Sequence, residues 1–200
     1  MSGQFPTSPA PRNAVIRSQQ NTIVSVTTSG RKQARQIDGQ RFAITLQFPN
    51  MTRAEFAPIQ AFVMKQRSQL ENFTVVPPTV KNALGVATGT ISVNGALTAG
   101  TTTASIDGMT TSTNGILKAG DYFRYSGQDK VYMAVADLDA DGSGEGTLTF
   151  EPPLRANVAD NNVLIYDNVD FTVSLTNDIQ EFNIGTQEYF NYEIDVVEVL

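Results

Sequence analysis

Cysteine and histidine are both missing from these 200 residues. Without cysteine there are no disulfides, no thiolate metal sites and no cysteine nucleophile. Without histidine the usual general base at neutral pH, the Ser-His-Asp triad and the commonest transition-metal ligand are all excluded. Any proton-transfer chemistry would rest on carboxylates, Lys or Tyr alone. Long apolar runs are lacking too: nothing approaches the ~20 residues of a membrane-spanning helix, and residues 1–20 have no apolar signal core. The expectation is a soluble chain, made and folded in the cytoplasm, with no membrane partner. Hydrophobic residues make up 40% of the sequence, enough for one large domain or two small ones with real cores.

Positive charge is scarce in the second part of the chain. Residues 1–81 carry ten Lys/Arg against three Asp/Glu, and the remainder carries four against seventeen, giving +7 and −13 within a net charge of −6. One reading is that the acidic part needs only solubility. The other is that unlike faces of neighbouring copies meet head to tail, as in cyclic oligomers. A nucleic-acid surface would need clustered basic residues with interleaved aromatics. Only Arg31, Lys32, Arg35 and Arg41 come close, too few to suggest sequence-specific nucleic-acid binding.

What is present is punctuated most clearly over residues 41–76. Phe42, Ile44, Leu46 and Phe48 alternate with Ala43, Thr45 and Gln47, the period of a strand burying one face. Pro49 ends the ladder because it has no N–H to donate. Thr52 and Glu55 form a capping box, with Met51 and Phe56 placed as its hydrophobic staple. A helix near residues 53–68 follows, its stripe being Phe56, Ile59, Val63 and Leu70, with Pro58 as a local conflict. Residues 72–76 read as a returning strand, stopped by Pro77 and Pro78.

On either side the signals are weaker. Residues 1–21, with Pro6, Pro9 and Pro11, read as an extended arm ordered only against another surface. TIVSVT, residues 22–27, is a strand candidate. Residues 28–40 are too polar for a core and read as the tip of a long hairpin; loops of this length are usually functional, so Arg31, Lys32, Arg35 and Arg41 become candidate subunit-interface residues.

From residue 84 to 163, Gly, Thr, Ser and Ala dominate. Short alternating runs, VATGTISVNG, DYFRYSG, KVYMAVA and GTLTFEPP, are separated by turns, as in a small all-β module. VDFTVSL and the alternating Phe190, Tyr192, Ile194 and Val196 then return to larger apolar side chains. The organisation expected is a split outer domain, residues 22–83 and 164–200, with residues 84–163 inserted.

Candidate sites are few. Asp137, Asp139, Asp141 and Gly142 match the first half of an EF-hand loop, but the twelfth position is Leu148 and the flanks are strand-like. A solvated hairpin turn accounts for the same residues, with weak calcium binding as an open alternative. The acidic residues Glu188, Glu193, Asp195 and Glu198 alternate with apolar ones, as on the outer face of a strand. The glycines of residues 85–95 lack the Lys-Ser/Thr of a phosphate loop. Tyr122, Tyr125 and Tyr132 could form a stacking platform for carbohydrate, although aromatics on adjacent strands more often make a core face. No catalytic, metal or cofactor residues are assigned.

The segment RQIDGQRFAITLQFPNMTRAEFAPIQAFVMKQRSQLENFTVVPP resembles the strand, helix and returning strand of bacteriophage distal tail proteins. ISVNGALTAGTTTASIDGM, LKAGDYFRYSG and ADLDADGSGEGTLTFEPPLR resemble the inserted β domain of the same group. The resemblance implies a mainly β fold: a tail-tube-like β-sandwich or split barrel with one flanking α-helix and an inserted small all-β domain. It also implies a structural role without catalysis. Such a subunit forms a ring, usually hexameric, at the distal end of the tail tube, with tube and baseplate or tail-hub proteins as partners and the virion as its location. The alternative is a carbohydrate- or receptor-binding β module.

Overall fold

The computed structural model describes residues 2–184 and 189–200, so Glu188 lies outside the described residues. The protein is mainly β and divides into two compact units, one formed by Met1–Phe73 with Val173–Leu200 and the other by Thr74–Thr172. The chain leaves and re-enters the first unit within two strands, ten residues from the boundaries suggested by composition on one side and nine on the other.

The first unit begins with β1 (Asn13–Val26) and β2 (Lys32–Gln47), followed by α1 (Arg53–Lys65), a 3-10 turn (Ser68–Leu70) and β3 (Phe73–Val75). In the second lie β4 (Ser92–Val93), β5 (Thr103–Asp107), β6 (Tyr122–Tyr125), β7 (Val131–Ala134), β8 (Gly146–Glu151) and β9 (Leu164–Ile165). The chain then returns through β10 (Phe171–Leu175), β11 (Asn183–Ile184), β12 (Phe190–Asn191) and β13 (Glu193–Glu198). One five-stranded sheet has the order β1-β2-β13-β10-β3, while β11 and β12 pair antiparallel as a separate two-stranded sheet.

Residues 13–21 are not a free arm. They form the first half of β1, in register with β2 from Asn13↔Gln47 to Gln19↔Arg41. Phe5 is buried and its ring contacts those of Phe48, Phe62 and Phe73, which ties the segment before β1 to its own unit. Composition hid this, because one aromatic anchor outweighs the surrounding prolines.

The strand over residues 42–48 buries Phe42, Ile44, Leu46 and Phe48, as its alternation requires. Ala43 and Thr45 on the opposite face are buried as well, where the Arg17 guanidinium donates to the Thr45 hydroxyl at 2.9 Å and the hydroxyl donates to Asp195 at 2.5 Å. The Glu55 carboxylate accepts from the Thr52 backbone N–H (2.8 Å) and hydroxyl (2.9 Å), bonds that hold its pKa below the ordinary carboxylate value. Met51 and Phe56 are both buried beside the cap. The helix continues through Pro58. It ends at Lys65, because Arg67 adopts a left-handed conformation (φ 52°), and Leu70 is therefore exposed in the 3-10 turn instead of extending the stripe. Phe62 packs its ring on Phe73 of β3, and Phe56 stacks on Phe190.

β13 corrects one acidic residue. Glu193 and Asp195 are exposed, but Glu198 shares the phase of Ile194 and Val196 and is fully buried, its carboxylate accepting the Phe42 backbone N–H at 3.1 Å.

In the second unit the sheet order is β4-β5-β8-β7-β6-β9, and β9 returns to β4 through a Ser92↔Val163 bridge and the Leu164 N–H to Ile91 carbonyl bond (2.9 Å). The sheet is thus a nearly closed barrel. Its interior holds Phe123, Tyr125, Tyr132 and Phe150 in mutual edge and stacked contacts.

A repeated clasp builds this barrel. Residues 94–100 read NGALTAG and residues 114–120 read NGILKAG. The Gly95 and Gly115 N–H groups donate to the carboxylates of Asp160 (2.7 Å) and Asp139 (2.6 Å). Ala99 and Ala119 donate to the side-chain oxygens of Asn157 and Asp137, both at 2.9 Å. Gly100 and Gly120 donate to the Leu154 and Ala134 carbonyls at 2.7 and 2.8 Å, while Leu97 and Leu117 bridge to Val158 and Leu138. Each copy leads directly into a strand, β5 or β6.

Candidate interaction surface

β1 and β2 run on together past the sheet. β13 pairs with β2 only over Ala43–Gln47. Among the described residues, the section of β2 from Lys32 to Ile37 is laddered to β1 alone, through six pairs from Asn21↔Ile37 to Val26↔Lys32. At the rise of an antiparallel strand, six residues carry this ribbon about 20 Å from the sheet. The ladder changes register at the base, where Gln20 on β1 faces Asp38, Gly39 and Gln40 on β2. Such a bulge bends the strand and sharpens its twist. Gly39 has φ +106°, a conformation that side chains with a Cβ rarely adopt.

The base is fixed by buried polar groups. The Gln40 side-chain amide donates to the Ser18 hydroxyl at 2.8 Å, and Glu198 receives the N–H of Phe42 next along β2. The tip is closed by a turn in which the Thr27 N–H donates to the Arg31 carbonyl (3.0 Å) and the Gly30 N–H to the Thr27 carbonyl (2.8 Å).

Along the ribbon every residue from 17 to 39 is exposed, including large apolar ones: Ile23 is 57% exposed, Val24 49%, Val26 64% and Ile37 44%. Paired residues share a face of an antiparallel ladder. One face therefore carries Ile23, Arg35 and Ile37, and the other carries Val24, Val26, Ala34 and Lys32. Arg31 sits in the turn. Between residues 18 and 37 Arg31, Lys32 and Arg35 are the only charged residues, and there is no aromatic residue from 18 to 41.

The structure thus brings three of the four expected interface residues to the outer ribbon and leaves Arg41 at its base, opposite Gln19. The polar stretch expected as a loop is mostly strand. Ile23, Val24, Val26 and Ile37 were not singled out by sequence reasoning. A signal did exist: KQARQI opposite TIVSVT is too polar at either phase to bury its partner.

Charge also redistributes once the units are known. The first unit has nine Lys/Arg and nine Asp/Glu; the second has five and eleven, a net −6. Six of the ten basic residues of the first part lie between Arg12 and Arg41, in the ribbon and around it.

The remaining candidates resolve into structural roles. Asp137 accepts from Lys118 Nζ (2.7 Å) and the Ala119 N–H, which holds its pKa below the ordinary value. Asp139 accepts from Gly115, and Asp141 from the N–H groups of Ser143 (2.8 Å) and Glu145 (3.0 Å). The half-match to a calcium loop is a turn whose carboxylates serve different partners. Among the described residues no group of three acidic side chains stands close enough to hold a metal ion. The tyrosine platform is overturned by burial: Tyr125 and Tyr132 are in the barrel core, the Tyr132 hydroxyl accepts the Arg155 N–H at 3.1 Å, and Tyr122 on the opposite face packs its ring edge on Phe171.

Fold and surface together define a two-unit, mainly β protein with a projecting β ribbon that combines apolar and basic residues. No protein-family model and no curated protein matches its sequence.

Proposed function

We propose that this chain is a structural subunit of a bacteriophage tail. Copies of it close into a ring, hexameric by analogy with the resembled distal tail proteins, at the distal end of the tail tube, where the ring joins the tube to the baseplate or tail-tip hub. The observation that carries the reading is the ribbon, whose apolar side chains are exposed although the fold spends a bulge and a buried polar base on holding it out. Apolar surface presented in this way marks a site that another chain covers. Support for the setting comes from the sequence resemblance over residues 35–78 and in the second unit. No helix among the described residues is long and apolar enough to cross a membrane.

In this reading the subunit performs no catalysis, and assembly in the host cytoplasm ends with the protein in the virion. A carbohydrate-binding alternative loses Tyr125 and Tyr132, two of its three stacking residues, to the barrel core.

The charged tip provides the test. Replacing Arg31, Lys32 and Arg35 together with Ser leaves thermal unfolding unchanged to within about 0.5 kcal/mol, because all three are exposed. It weakens assembly, and raising the salt weakens the unmodified protein in the same sense, since exposed charges are screened beyond ~8 Å at physiological ionic strength. Light scattering across a salt series reads both. Assembly that is insensitive to the substitutions and to salt would remove the ribbon's charges from the account.

A further inference from the structure

We propose that the ribbon is clasped on both faces, filling a slot between two surfaces supplied by other copies of this chain. The inference rests on the self-assembly proposed above and specifies its geometry. A hairpin that docks flat needs one apolar face and leaves the other polar. Here the pairing places Ile23 and Ile37 as diagonal neighbours on one side, and Val24 and Val26 two residues apart on the other. Cations divide in the same way, with Arg35 on the isoleucine side, Lys32 on the valine side and Arg31 at the tip. Each face thus sets two exposed aliphatic side chains beside one cation, Arg35 directly opposite Ile23 and Lys32 directly opposite Val26.

Charge selects the occupant. The outer ribbon carries three positive residues and no negative one, whereas the Thr74–Thr172 unit carries a net −6, so a second copy offers the complementary sign. Nucleic acid would share that sign, but the ribbon has no aromatic side chain to stack on bases and presents aliphatic residues where phosphates would lie.

Two double variants separate the faces: Ile23→Ser with Ile37→Ser, and Val24→Ser with Val26→Ser. Each is expected to weaken association roughly 10- to 100-fold, the loss of two partly buried aliphatic side chains, with unfolding midpoints unchanged. A photo-crosslinker at position 23 and another at position 24 should trap different segments of other copies. An unmodified chain that stays monomeric would defeat the self-assembly reading itself. If it assembles but one face tolerates its double substitution, or both crosslinkers trap the same segment, the clasp is overturned while self-assembly stands. Binding of a labelled DNA duplex that the serine variants at Arg31, Lys32 and Arg35 abolish, with assembly intact, would also overturn it.

Discussion

Replacing Asp121 with Ala is expected to destabilise the second unit by about 3–5 kcal/mol, a large share of what a domain of this size has. Asp121 is buried, and its carboxylate accepts three backbone N–H groups: Leu84 at 2.7 Å, Lys118 at 2.7 Å and Gly85 at 3.2 Å. One side chain thereby fastens the segment entering the barrel to the turn before β6. Removing it leaves three donors without their charged acceptor, and hydrogen bonds to a charged group are among the strongest available. The position is also crowded, since a Cβ on Gly85 would lie 2.1 Å from the Ile116 carbonyl oxygen. Asp121→Asn keeps the shape and one acceptor oxygen and should lose less. Urea titration of the two variants distinguishes them; equal losses would mean that packing, and not the acceptor, is what matters.

Ending the chain after Thr172 is expected to unfold the first unit altogether. That cut removes β13 and the greater part of β10, the two strands between β2 and β3, and with them the buried Val173, Leu175, Tyr192, Ile194 and Val196. At about 1.5–3 kcal/mol for each large apolar side chain, the loss is of order 10 kcal/mol, comparable with the entire stability of a domain. It also leaves the Phe42 N–H without Glu198. Deleting residues 82–168 should be far milder. The Val169 N–H donates to the Lys81 carbonyl at 3.2 Å, so the two ends already meet and a short Gly linker can join them. Circular dichroism with thermal melts should show a cooperative transition for the deletion and none from the first unit in the truncation. The reverse pattern would mean that the sheet does not depend on the returning strands.

The parts of this fold that could be read from sequence are those where the local code and the tertiary environment agree. Phe42 to Phe48 alternate and are covered, and Thr52 and Glu55 start a helix whose apolar side has a sheet to meet. Four of the six barrel strands, β4, β6, β7 and β8, fall in the alternating runs that turn residues set apart, whereas β5 and β9 lie outside them. Failures occurred where burial is decided by a partner distant in sequence. Residues 13–20 look like a polar arm but become a strand because β2 offers a ladder. TIVSVT looks like core, yet it is exposed because the strand opposite is polar. Glu198 looks like a surface acid until its phase is counted against Ile194 and Val196. The repeated NGxLxAG was present in the sequence, but its meaning lay in Asn157, Asp160, Asp137 and Asp139, which complete the two clasps from later in the chain. For the candidate surface, the cations were legible and the aliphatic residues beside them were not.

Self-assembly into a closed ring is the central claim, and the native mass of the purified, unmodified protein at low salt tests it most directly. Light scattering over a concentration series, with negative-stain images of the same fractions, is expected to show one discrete species with a central opening. For six copies of 21.7 kDa its mass would be about 130 kDa. A mass of one copy at every concentration, with the ribbon intact and the chain folded, would contradict the account.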